Sequence, residues 1–134
     1  MSKPHVPVRP GLFEETASGV VHLLGSRCTA CDRYLFPRGE LCPYCSSTEV
    51  EPVMLSDVGE LWGWTVVHTA PPGYEGPVPF GFGVVELPEG LRVITRLELP
   101  DTTFDVGVPM RLQVAELHDT EDDETVVTYT FAPT

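Results

Sequence analysis

Four cysteines in two matched pairs, Cys28-Thr29-Ala30-Cys31 and Cys42-Pro43-Tyr44-Cys45, are all the cysteines that this 134-residue chain contains. Two C-x-x-C pairs at this spacing point to one tetrahedral centre. Each pair curls around the metal as a short knuckle, and four thiolates at roughly 2.3 Å close the coordination sphere of Zn²⁺. A closed sphere leaves no position for substrate, so the centre is expected to be structural. A thioredoxin-like redox site would use a single C-x-x-C beside a βαβ pattern, and neither condition is met. Two disulfides would require an oxidising compartment. The opening residues Met1-Ser2-Lys3-Pro4-His5 have no apolar region of the secretory kind, and no stretch is long and apolar enough to span a membrane. The expectation is therefore a cytoplasmic protein with reduced thiols. Iron in a rubredoxin-like centre is the competing metal, since four cysteines do not by themselves choose between zinc and iron.

Charge divides the chain. Residues 1–45 carry Lys3, Arg9, Arg27, Arg33 and Arg38 against Glu14, Glu15, Asp32 and Glu40, whereas residues 46–134 carry three arginines against sixteen acids. This suits a metal-stapled module over residues 1–48 followed by a compact domain over residues 49–134. A net charge of −12 argues against nucleic acid as the main partner, because neutralisation of phosphates by Lys and Arg supplies most of such affinity. The densest acidic run, Asp119 to Glu124, reads as a solvated tip between two strands.

Pro4, Pro7 and Pro10 make the first dozen residues an extended arm. From Leu12 to Leu24 the spacing of Leu12, Phe13, Ala17, Val20, Val21 and Leu24 predicts a short amphipathic helix. Arg27 to Ser46 is the metal ribbon, with the aromatic and basic loop Arg33-Tyr34-Leu35-Phe36-Pro37-Arg38. Beyond Glu49 the period becomes two. Strands are expected over Glu60–Thr69, Phe80–Leu87, Leu91–Leu97, Val108–Leu117 and Thr125–Phe131, with a turn at Pro88-Glu89-Gly90. In the third, Leu91, Val93, Thr95 and Leu97 share one face, and Arg92, Ile94 and Arg96 the face turned to solvent or a partner. Five antiparallel strands with a long, glycine-interrupted first strand suit a Greek-key barrel of the OB type, with bends at Gly63 and Gly83. A small β-sandwich is the alternative. The fold class is thus mainly β: short helix, rubredoxin-like zinc ribbon, then five-stranded OB barrel.

The cysteine ribbon with Phe36-Pro37-Arg38 between its pairs, Leu61-Trp62-Gly63-Trp64-Thr65, Pro79-Phe80 and Glu86-Leu87-Pro88-Glu89-Gly90 resembles a known group. It looks like the OB-fold, acyl-CoA-associated zinc-ribbon family, also called domain of unknown function thirty-five. The resemblance runs from about Leu12 to Pro133. It implies a partner of thiolase-superfamily enzymes, including acetyl-CoA acyltransferases, hydroxymethylglutaryl-CoA synthase assemblies and steroid side-chain aldolases. The implied role is non-catalytic: stabilising the enzyme, completing its acyl-CoA channel or linking it to a neighbour. Asp32 and Ser46 follow the second cysteine of each pair, where glycine is common in zinc knuckles; Asp accepts a left-handed backbone more readily than Ser.

No catalytic residue is expected. All four thiols are assigned to metal, and His5, His22, His68 and His118 stand on separate elements outside any hydrolase or zincin frame. Gly73-Tyr74-Glu75-Gly76-Pro77 lacks the spacing of a phosphate loop. Arg38, Arg33 and Arg27 are candidates for contacts with the phosphates of a coenzyme A thioester shared with the partner, Arg38 foremost because it matches the family's Pro-Arg position. Their alternative duty is to offset the formal charge of a four-thiolate zinc. Tyr34, Phe36, Trp62, Trp64, Tyr74 and Phe80 are candidates for a partner interface, with Trp62 and Trp64 expected on one strand face, in core or interface. Two other classes compete with the accessory subunit: a free-standing acyl-CoA or nucleic-acid binding module, since ribbon plus OB barrel is also a nucleic-acid architecture, and an independent enzyme.

Overall fold

The computed structural model describes residues 4–16, 18–98 and 106–134, and among these residues every regular element is a strand. β1 (His5–Pro7), β2 (Phe13–Glu15), β3 (Val21–Cys28), β4 (Tyr34–Leu35) and β5 (Val50–Met54) precede the barrel strands β6 (Val58–Val67), β7 (Phe80–Glu86), β8 (Arg92–Leu97), β9 (Pro109–Asp119) and β10 (Thr125–Pro133). None of the described residues forms a helix long and apolar enough to cross a membrane.

The helix expected over Leu12–Leu24 is absent, and a β-hairpin takes its place. Phe13 pairs with Leu23, Glu14 with His22 and Glu15 with Val21. The chain reverses between Thr16 and Val20, where the Thr16 N–H donates to the Val20 carbonyl and Gly19 takes φ +87°. Burial here has period two, with Phe13, Val21 and Leu23 inside and Glu14 and His22 turned outward. Two short strands abutting in sequence imitate helical spacing across the turn. Ala17, part of that expectation, lies outside the described residues.

β3 is the spine of the N-terminal sheet, pairing antiparallel with β2, β4 and β5. Its packing is close: a Cβ at Gly25 would stand 2.6 Å from the Leu35 carbonyl oxygen and 2.8 Å from Leu55 Cδ1. The proline-rich arm docks. β1 runs parallel to β10, with the Val8 N–H donating to the Val127 carbonyl (2.7 Å) and the Thr125 N–H to the Pro4 carbonyl (2.8 Å). Pro7 is tolerated because β1 is an outer strand.

β6 to β10 close into a ring in the order β6-β7-β8-β10-β9, with β9 pairing back to β6. Strand direction cannot alternate around a ring of five, so one pair must be parallel. That pair is β8–β10, with Thr130 opposite Arg96 and Phe131 opposite Leu97; the expectation of antiparallel pairing holds for the other four. The five expected barrel strands all form, within a few residues of their expected ends. The turn at Pro88-Glu89-Gly90 also forms, with the Leu87 N–H donating to the Leu91 carbonyl and Gly90 at φ +83°.

In β6, Leu61 faces Val85 and Gly63 faces Val84, so Trp62 is an extra, bulged residue. The bulge rephases the strand and overturns the expectation that the two indoles share a face. Trp62 is turned out and 49% exposed, whereas Trp64 packs against the core. Gly83 opposes Trp64, and a Cβ there would lie 2.1 Å from the Gly63 carbonyl oxygen, so the strands can approach only at glycine.

The larger of two buried clusters among the described residues runs through both parts, the smaller gathering Leu35 around Cys28 and Cys42. Phe13, Val21, Leu23 and Leu55 belong to the same buried cluster as Leu61, Val85, Val93, Leu97, Met110, Leu112, Val127 and Phe131. Burying each large side chain contributes about 1.5–3 kcal/mol. At the junction, Phe13 and Phe36 meet the Tyr129 ring edge-on, at 6.2 and 5.6 Å between centroids.

Candidate metal centre and contact surfaces

The two cysteine pairs fold alike. The Cys28 N–H donates to the Arg33 carbonyl (2.8 Å) and the Asp32 N–H to the Cys28 carbonyl (2.8 Å); the Cys42 N–H donates to the Ser47 carbonyl (2.9 Å) and the Ser46 N–H to the Cys42 carbonyl (2.9 Å). The offsets of five and four residues are identical in the two knuckles. Both turns require a left-handed residue after the second cysteine, and Asp32 (φ 68°) and Ser46 (φ 63°) adopt it without glycine. An L-residue there costs about 1–2 kcal/mol, so the knuckles are held against a local preference.

The four sulfurs converge. Cys28 Sγ lies 3.6 Å from Cys45 Sγ, and Cys31 Sγ 3.6 Å from Cys42 Sγ; all four atoms lie within 4.8 Å of one another. A tetrahedron with bonds of about 2.3 Å has edges of about 3.8 Å, whereas a disulfide would bring two sulfurs to about 2.05 Å. The set fits one four-coordinate metal, with each 3.6 Å contact joining one knuckle to the other.

Crowding divides the thiols. Burial raises Cys42, but the N–H groups of Cys45 and Tyr44, with the adjacent thiols, more than offset it and bring Cys42 down to about 7. Cys45 moves the other way: the Ser47 N–H lowers it, but its contacts with the neighbouring thiols and its burial push it up to about 12. Four thiolates this close need a cation between them, and a divalent metal supplies that charge in place of protons.

The three ribbon arginines have different surroundings. Arg27 forms ion pairs with Asp32 and with Glu51, the latter at 3.1 Å. Arg38 donates through Nε to the Gly25 carbonyl (2.9 Å) and through Nη2 to the Val53 carbonyl (3.1 Å). Gly25 and Val53 are opposite one another in the β3–β5 ladder, so this guanidinium clips two strands together. Arg33 stacks over the Tyr44 ring at 4.6 Å, and among the described residues it pairs with no carboxylate. It lines a cavity of about 400 Å³ between ribbon and barrel, together with Tyr34, Tyr44, Glu89 and Arg92.

The aromatic candidates fall into two groups. Tyr34 and Phe36 are half-buried and pack on the chain's own core. Trp62, Tyr74 and Phe80 cluster with arginines the sequence reading did not single out as site residues. Arg92 lies 4.2 Å over Trp62, and Arg96 lies 5.1 Å over Phe80 while its Nη1 donates to the Tyr74 hydroxyl (2.9 Å). Phe82 and Ile94, 39% and 62% exposed, stand on the same outer face. The two-residue alternation of β8 did signal that face through Arg92, Ile94 and Arg96, but not that loop residues 71–77 would wall it. A groove of about 320 Å³ results, bounded by Val8 of the arm, Tyr74, Phe82, Ile94, Leu117 and Tyr129.

The histidines do not meet. His5 bridges Glu15 (2.7 Å) and Glu116 (3.7 Å), His118 approaches Glu75 (3.4 Å), His22 sits in the β2–β3 hairpin and His68 is exposed beyond β6.

Comparison with known proteins matches residues 21–51 to the rubredoxin-like zinc ribbon domain of ChsH2, and residues 52–115 to the C-terminal OB-fold domain of ChsH2. The chain is 35% identical over 109 residues to a DUF35 domain-containing scaffold protein of Methanocaldococcus jannaschii, covering 80% of this chain and 77% of that one. It is 32% identical over 123 residues to the benzoylsuccinyl-CoA thiolase subunit BbsA of Thauera aromatica, covering 91% and 84%. The solved Ltp2-ChsH2(DUF35) aldolase superposes with a TM-score of 0.63 at 29% identity, over 84% of each chain.

Proposed function

Since the chain belongs to the DUF35 family, whose zinc ribbon and OB fold it carries in order, we propose that it is a non-catalytic accessory subunit of a thiolase-like acyl-CoA enzyme. The enzyme is a thiolase or a retro-aldolase acting on a steroid-type CoA thioester, in a reducing, cytoplasmic setting. The observation that carries this reading is the convergence of all four cysteines on one closed centre. That arrangement leaves no thiol to act as nucleophile. The kinship with a thiolase subunit and an aldolase component supplies the class of partner.

Cys28, Cys31, Cys42 and Cys45 hold zinc, which locks the two knuckles and, through Phe36 on Tyr129, braces the ribbon against the barrel. The subunit stabilises its enzyme and contributes to the acyl-CoA site. The phosphates of CoA fall to Arg33, because the guanidiniums of Arg27 and Arg38 are engaged by carboxylates and backbone carbonyls. The test is reconstitution. The purified chain alone turns over no acyl-CoA thioester, whereas a thiolase-superfamily polypeptide of the same genome gains stability or activity on mixing. Turnover by the isolated chain, scaling with its concentration and its zinc, defeats the proposal.

A further inference from the structure

We propose that the outer face of β7 and β8, with the groove beside it, receives an extended apolar segment of the partner polypeptide flanked by basic residues. The proposal rests on the accessory-subunit reading and assigns its docking surface. In OB folds the face of the second and third barrel strands, with the loop between the first and second, is where oligonucleotides and oligosaccharides are held, so the chemistry of the face has to decide what it takes here. Here those strands are β7 and β8, and the loop is the one that carries Tyr74.

The chemistry of this face selects the occupant. Phe82, Ile94 and Trp62 present large apolar surfaces to solvent, and aromatic residues with arginines are the side chains that dominate protein interfaces. A nucleic-acid strand would need unpaired cations along the face. The two arginines present are engaged instead: Arg92 Nε with Glu86 (3.0 Å) and Arg96 Nε with Glu98 (3.2 Å). The groove's lining is largely apolar apart from Arg96, and the exposed carboxylates of Glu75, next to Tyr74, and Glu98, beside Arg96, flank it, which selects a polypeptide with apolar side chains and positively charged flanks.

The chain's own arm indicates the backbone form of that segment. Residues 4–8 lie extended along β10, fastened by backbone hydrogen bonds at Thr125 and Val8, and the Val8 side chain forms part of the groove wall. The side of β10 next to the groove is thus already covered by extended backbone, and the groove continues from Val8 to Phe82 and Ile94. A side chain of the partner segment enters the groove while its neighbours lie on Trp62 and Ile94.

The full zinc-loaded chain is co-expressed with the thiolase-superfamily polypeptides of the same genome, and the complex is quantified by size exclusion and calorimetric titration. Phe82→Asp combined with Ile94→Asp should raise Kd at least about 100-fold with zinc content and thermal transition retained, while Met54→Asp, on exposed β5, changes it less than about threefold. A photo-crosslinker at position 94 should mark one extended partner segment, a readout independent of the double variant's folding. A wild-type complex whose Kd the double variant leaves unchanged overturns the docking face and spares the accessory-subunit reading. Failure of the wild-type chain to bind any of those polypeptides overturns both. Saturable binding of an oligothymidylate at physiological salt, abolished by Ile94→Asp, overturns the choice of a polypeptide.

Discussion

Replacing Arg38 by alanine separates a structural clip from a ligand contact. The side chain makes two charge-assisted bonds to carbonyls on facing strands, a part-buried one to Gly25 at 2.9 Å and an exposed one to Val53 at 3.1 Å. A bond of this kind contributes about 1.5–3 kcal/mol when sheltered and nearer 0.5 kcal/mol when wet, so Arg38→Ala should destabilise the zinc-loaded chain by about 2–3 kcal/mol. With an unfolding entropy of about 2.1 cal/mol/K per residue, a chain of this length loses about 7–11 °C in Tm. Arg38→Lys, which presents one ammonium instead of a fork, cannot reach both carbonyls and should recover less than half of the loss. The assays are thermal unfolding by circular dichroism at fixed zinc and titration of an acyl-CoA into the assembled complex. A Tm within about 2 °C of wild type, together with a tenfold or larger rise in acyl-CoA Kd, would refute the clip and return Arg38 to the ligand.

Three further outcomes follow from the geometry. Ser46→Gly should stabilise by up to about 1 kcal/mol, because relief of a left-handed L-residue outweighs the entropy of glycine; Asp32→Gly should give no gain, since it also discards the pair with Arg27, and equal effects in thermal melts would contradict the account of the knuckles. Chelation should unfold the ribbon and lower the cooperative transition of the whole chain, because structural zinc contributes about 10–16 kcal/mol against a total stability of about 5–15 kcal/mol; an unchanged melt after verified metal removal would count against the shared core. His5 is raised above its ordinary 6.5 chiefly by its hydrogen bond to Glu15, opposed by slight burial and helped by Glu116. Its contribution, under about 1 kcal/mol, is therefore fully present below pH 6.5 and lost as pH rises through the folded value, so His5→Gln should remove that limb from a stability–pH curve.

The barrel strands were readable because each has enough alternation to show which face is buried, as in Val93, Thr95 and Leu97 against Arg92, Ile94 and Arg96. The metal ligands were readable because coordination restricts both residue type and spacing. Leu12–Leu24 imitates a helix because β2 is three residues long: too short to establish a period of its own, it merges with β3 across a turn whose Gly19 resembles a weak helix residue. The bulge at Trp62 was hidden for a related reason, since an extra residue in β6 is defined only by Val84 and Val85 across the ladder. Arginine roles lay further from view. Nothing local distinguishes Arg38, which reaches carbonyls on two strands, from Arg33, which stacks on Tyr44.

The seam between the two matched domains falls between residues 51 and 52, yet Phe13, Val21 and Leu23 sit in the barrel's own core, and Phe36 rests on Tyr129. A chimaera that grafts the ribbon of one relative onto the barrel of another at that seam would inherit mismatched halves of a single packing problem. Recombination should succeed only where those four apolar positions and the Tyr129 ring travel together. The unit that natural variation can exchange without penalty is then the whole chain, and divergence between relatives should concentrate on its outward-facing loops.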